Sequence, residues 1–71
     1  MKQKILAPMA GKILQINVKE GDKVEEDDQL LTIEAMKMEN PILSMGEGIV
    51  GVISAKEGDE VKAEQLLLVI E

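Results

Sequence analysis

The chain has 71 residues with no Cys, no His and no aromatic side chain, and its 14 Asp and Glu against 8 Lys leave a formal charge of −6. A domain this short buries only roughly 60% of the surface its unfolded chain exposes, so its core is thin, and no disulfide or thiolate metal site supplements it. The absence of His and Arg removes the commonest general base, the commonest metal ligand and the usual bidentate phosphate clamp, and an acidic chain with no ring to stack on bases argues against a nucleic-acid binder.

Met1-Lys2-Gln3-Lys4 leads into a short strand-like stretch and not a signal-peptide core. No apolar run approaches the roughly 20 residues that span a bilayer. The expected compartment is the cytoplasm. From there the predicted strands cover 3–7, 11–18, 22–24, 29–35, 38–43, 47–55, 59–61 and 65–71. The signal for them is alternation rich in Ile and Val: Leu14, Ile16 and Val18 skip by two, as do Val50 and Val52, then Ile53 and Ala55. Such short runs punctuated by Gly-Asp describe half-buried strands, and no stretch sustains a helical period. Pro8 and Pro41 donate no ladder hydrogen bond and belong at strand edges or starts.

A shift of 37 positions lays Gly11–Glu34 over Gly48–Glu71 with eleven of twenty-four residues identical. Lys19-Glu20-Gly21-Asp22 matches Lys56-Glu57-Gly58-Asp59, and Leu30-Leu31 matches Leu67-Leu68. This is an internal repeat, and eight strands in two copies make an all-β, pseudo-twofold sandwich in a single domain spanning 1–71. The Lys-Glu-Gly-Asp units are turns, because Gly tolerates positive φ and Asp bonds its local backbone. A duplicated fold duplicates its turns, so reading them as paired ligand loops is the weaker alternative. Glu25-Glu26-Asp27-Asp28 lacks the spaced Gly and distal Glu of a calcium loop.

Between the copies the chain must reverse at Met36-Lys37. Two-residue hairpin turns favour Asn-Gly or Asp-Gly, so two long unbranched residues break a local rule, and such breaches point to function. At a hairpin tip the Lys37 amine would be exposed on a rigid support, which suits a modification site.

Glu34-Ala35-Met36-Lys37-Met38-Glu39-Asn40 resembles the Ala-Met-Lys-Met signature of biotinyl domains, and the resemblance runs from Ala7-Pro8-Met9 and Gly11 to the Gly48 and Gly58-Asp59 turns. It implies a flattened β-barrel of two four-stranded antiparallel sheets, of the type without a protruding thumb, carrying biotin covalently on Lys37. It further implies that a biotin protein ligase activates the cofactor for attack by the neutral Lys37 amine. The loaded arm then shuttles carboxyl groups from a biotin carboxylase to a carboxyltransferase or decarboxylase, so that the domain is a carrier and not an enzyme.

Ala35, Met36, Met38 and Glu39 would flank the lysine as recognition residues. Met36 and Met38 suit a soft apolar contact with a partner, or burial against the barrel end, as do Met9 and Met45. Glu34 and Glu39 look like an acid/base pair, but no substrate pocket is indicated, which favours partner recognition or solvation. Two rivals stand beside this reading. A lipoyl domain has a similar duplicated fold, though typically with Asp-Lys-Ala around its lysine. An unmodified adaptor of the same fold would carry no cofactor. Pro41, where many biotinyl domains have another residue, suggests an irregular outgoing hairpin strand.

Overall fold

The computed structural model describes residues 2–71, and all eight expected strands are present. They are β1 (Gln3–Leu6), β2 (Gly11–Ile16), β3 (Lys23–Val24), β4 (Gln29–Ala35), β5 (Met38–Leu43), β6 (Gly48–Ile53), β7 (Glu60–Val61) and β8 (Leu66–Ile70). Two four-stranded sheets form, ordered β1-β8-β6-β3 and β5-β4-β2-β7, with every pairing antiparallel. The two orders interchange when β1 is exchanged with β5, β2 with β6, β3 with β7 and β4 with β8. The repeat therefore reaches further than the sequence match, since Gln3–Leu6 shifted by 37 falls on residues 40–43 within β5.

The core obeys the same symmetry. Ile13, Val24, Leu30, Leu31 and Ile33 are buried, and so are their equivalents Val50, Val61, Leu67, Leu68 and Ile70. Aliphatic side chains of one copy pack on those of the other, which is how a chain without aromatic residues closes a core of this size. The alternation at the start of each copy is interrupted, however. A bulge between Ile13 and Gln15 turns Ile13 inward and leaves Leu14 36% exposed; the matching irregularity between Val50 and Ile53 leaves Val52 60% exposed. One extra residue in a strand reverses the faces beyond it, so simple skipping by two misplaces Leu14 and Val52.

The Lys-Glu-Gly-Asp units prove to be turns that lock one copy onto the other. Asp22 Oδ2 accepts from the Lys19 N–H at 3.0 Å, and the Asp22 N–H returns to the Lys19 carbonyl at 3.0 Å. Gly21 has φ of 94° and donates to the Val50 carbonyl of the other copy. The Glu20 carboxylate accepts from the Ile53 N–H, as Glu57 does from Ile16. Pro41 lies in edge strand β5, where its missing N–H costs no ladder bond, and Pro8 lies in the β1–β2 connection. The hairpin register runs evenly past Pro41; the irregularity of this pair lies opposite, between Gln29 and Leu31. Among the described residues no helix is long and apolar enough to cross a membrane.

Candidate functional site

Strands β4 and β5 form a hairpin that closes on the Ala35–Met38 pair, leaving Met36 and Lys37 as a two-residue turn. Their φ values are 55° and 62°, the left-handed region that this tight turn requires at both positions. Neither is Gly, Asn or Asp, so each residue costs about 1 kcal/mol or more in local strain. The long β4–β5 ladder, from Ala35–Met38 back to Gln29–Leu43, holds the turn in that conformation.

The base of the hairpin is fixed from two sides. Ala35 is 6% exposed and faces the start of β2, where a methyl on Gly11 would stand 2.5 Å from the Glu34 carbonyl oxygen and 3.2 Å from the Ala35 Cβ. Only a residue without a side chain lets the two backbones approach this closely. On the other side the Asn40 amide donates to the Ile33 carbonyl at 3.4 Å and the Met38 carbonyl at 3.2 Å, tying β5 to β4 just below the turn.

Above this base everything is exposed. Lys37 is open to solvent, with Met36 88% and Met38 64% exposed on either side. Met9, in contrast, packs against the core, and Met45 is exposed. Burial against the barrel end thus describes Met9 and none of the methionines near the turn. Ala35, expected among the recognition residues, contributes through packing, because its side chain is buried at the hairpin base.

One rung below the turn, Glu39, Glu34, Lys12 and Glu60 stand in line across β5, β4, β2 and β7. Glu34 and Glu39 are directly opposed, an arrangement that a sheet ordinarily avoids because like charges repel at this spacing. The groove beside them, lined by Gly11, Lys12, Glu34, Met36 and Glu60, is shallow and open. Glu34 lines it and Glu39 does not, so the two carboxylates do not face a common enclosed space there. Asn40 and Gly11 are the parts of the site that residue patterns did not single out. Asn40 stands in the motif run, but its role depends on a cross-strand register; Gly11 was visible as a repeat position and in the family resemblance, but not as a support of the hairpin.

Gln3, at the start of β1, and Glu71 lie far from this hairpin. β2 starts beside Glu34 and Ala35 and delivers the chain to the Lys19–Asp22 turn, which bonds Val50, near the Ile49–Glu71 backbone pair. The hairpin and the pair Gln3 and Glu71 thus occupy opposite ends of the barrel. By the internal twofold, the open ends of β8 and β1 stand where a second such hairpin would be.

A pseudo-twofold barrel thus carries an exposed lysine at the tip of a strained two-residue hairpin, beside an open groove. The family described as biotin-requiring enzyme matches residues 3–70. The chain belongs to that family and is a biotinyl domain. It is 64% identical over 39 residues to the gamma subunit of glutaconyl-CoA decarboxylase from Acidaminococcus fermentans, covering 55% of this chain and 27% of that protein. To the propionyl-CoA carboxylase alpha chain of Ruegeria pomeroyi it is 46% identical over 46 residues, 65% of this chain and 7% of that one. The crystal structure of Kluyveromyces lactis urea carboxylase superposes with a TM-score of 0.92 at 32% identity, covering all of this chain and 6% of that one. The chain thus spans about a quarter or less of the length of each of these proteins.

Proposed function

We propose that Lys37 carries the biotin and that the chain, 1–71, is one carrier domain serving a biotin-dependent carboxylase or decarboxylase. The observation that carries this reading is the exposed lysine on a hairpin whose two turn residues both hold positive φ without glycine. Strain held by a long ladder keeps the backbone of Lys37 at a fixed place, with its side chain exposed.

In the acylation step Nζ of Lys37, as the neutral amine, attacks the carboxyl carbon of biotin activated as its adenylate. A C–N amide bond forms, AMP leaves and one proton is lost. The proton lost from Nζ is taken up in the active site of the biotin protein ligase. The domain's own residues act by position: Asn40 and Gly11 hold the hairpin, and Met36 and Met38 offer adaptable apolar contacts to the ligase and to the catalytic subunits. Glu34 and Glu39 give that end of the barrel an acidic face for basic residues of the same partners. Held on Lys37, biotin would supply a ureido nitrogen able to carry a carboxyl group between a biotin carboxylase and a carboxyltransferase or decarboxylase. Tethering through Lys37 restricts the search between the two centres and raises the effective concentration at each.

The test is labelling of Lys37→Arg by a biotin ligase with ATP and biotin, read by streptavidin blotting, with folding checked by circular dichroism. The wild type should label and the folded variant should not. Labelling of the variant would refute the assignment.

A further inference from the structure

An internally duplicated domain supplies its own control. Two positions 37 residues apart share one backbone environment, so a consistent difference in their side-chain character is not demanded by the fold. On the outer face of the β5-β4-β2-β7 sheet, Lys12, Gln15 and Thr32 are polar, and Gln29 donates to the Thr32 hydroxyl at 2.8 Å. The equivalents on the other sheet are Ile49, Val52, Val69 and Leu66. These four substitutions run from polar to apolar, although Thr32 is itself buried; Leu14, 36% exposed on the first sheet, corresponds to Gly51. Ile49 is 45%, Val52 60% and Leu66 37% exposed, and Val69 is half-buried.

The charges around this face change as well. Lys4 stands opposite Val69, and Lys23 opposite Ile49, where the other sheet has Pro41 and Glu60. In a chain of net charge −6 this is an apolar centre with lysines on its edge strands. Two carboxylates lie near it: Glu71 exchanges backbone hydrogen bonds with Ile49 and lays its side chain over Gly51, and Glu20 is held at the border by accepting from the Ile53 N–H.

We propose that the outer face of the β1-β8-β6-β3 sheet, centred on Ile49, Val52 and Val69, is a docking surface for a larger protein with an apolar centre and an acidic rim. The partner is a catalytic subunit that loads or unloads the carrier. That identity rests on the carrier reading; the face itself does not. Its exposed apolar area is on the order of a few hundred Å², against roughly 800 Å² per partner in a stable interface. The contact therefore forms and dissociates, as a domain visiting two centres requires. A second copy is a poor occupant, because its own matching face would oppose lysine to lysine and the outer face of its other sheet has a polar centre. The docking sheet is also the one without the hairpin, so docking leaves Lys37 free.

The test replaces Ile49→Lys, Val52→Gln and Val69→Thr together, introducing the residues that the first copy already tolerates. Biotinylated wild type and variant are compared as substrates of the purified biotin carboxylase and of the carboxyltransferase or decarboxylase subunits of the same enzyme. KM for the domain should rise about tenfold in at least one half-reaction, with kcat, melting temperature and ligase labelling unchanged. KM unchanged in both would overturn the docking face and leave the carrier reading intact. Wild type turned over by neither would remove the carrier reading and the named partner with it. Sedimentation showing self-association of the wild type, lost in the variant, would give the face to a second copy and likewise overturn the proposal. Should the triple variant not melt cooperatively, Lys4→Glu with Lys23→Glu, which leaves the apolar centre untouched, is judged by the same KM criterion.

Discussion

Replacing Gly11 by Ala places a methyl 2.5 Å from the Glu34 carbonyl oxygen and 2.7 Å from the Ile33 Cγ2. Ile33 is fully buried and Glu34 is paired on both sides of β4, so neither atom can move without shifting the centre of the sheet. Overpacking of this kind costs about 2–3 kcal/mol. For a domain of this size that is a fall in melting temperature of about 10–20 °C. Gly48→Ala is the matched control, since its methyl would meet the Ile70 Cγ2 at 2.5 Å and the Glu71 carbonyl oxygen at 2.6 Å, at the opposite end of the barrel. Both variants should melt early by circular dichroism. Only Gly11→Ala should slow labelling by the biotin ligase at a temperature where both are folded, because Glu34 and Ala35 lead directly into the turn. A Gly11→Ala melt within a few degrees of wild type, or equal slowing in Gly48→Ala, would refute the argument.

Met36→Asn should relieve part of the turn strain, because Asn tolerates positive φ and the 88% exposed methionine gives up little packing; thermal melting should rise by a few degrees. The same variant should lose affinity for the ligase, and unchanged labelling kinetics would remove Met36 from the recognition surface. Asn40→Ala deletes the two amide bonds below the turn, and should cost about 1 kcal/mol in urea unfolding while leaving Lys37 modifiable at a reduced rate. Gly21→Val faces no steric contact but must adopt a φ of 94°, and should destabilise by roughly 1 kcal/mol or more; unchanged melting would contradict the turn geometry.

The fold was legible because the repeat is strong and its turn chemistry is local. Gly and Asp at fixed offsets mark Lys19–Asp22 and Lys56–Asp59 wherever they occur, and the structure places hydrogen-bonded turns at both. What alternation could not reveal were the bulges at Ile13–Gln15 and Val50–Ile53, which reverse the faces of Leu14 and Val52, because a bulge is set by the partner strand. The kinship of β1 and β5 also escaped the sequence comparison. Only Ile5–Ile42 and Leu6–Leu43 match there, too few to register, and β5 is recognisable as a copy of β1 only from its pairing with β4. At the site, the breached turn rule at Met36-Lys37 was readable from composition alone. The buried role of Ala35 and the Asn40 clamp were not, since both depend on which backbone lies alongside.

The most direct test of the central claim is intact-mass spectrometry with peptide mapping, after incubation with biotin ligase, ATP and biotin and, in parallel, with lipoate ligase, ATP and lipoate. The account predicts a single biotinyl increment confined to the peptide containing Lys37 and no lipoyl increment. A lipoyl increment at Lys37, a biotinyl group on another lysine, or no increment from either ligase would contradict it.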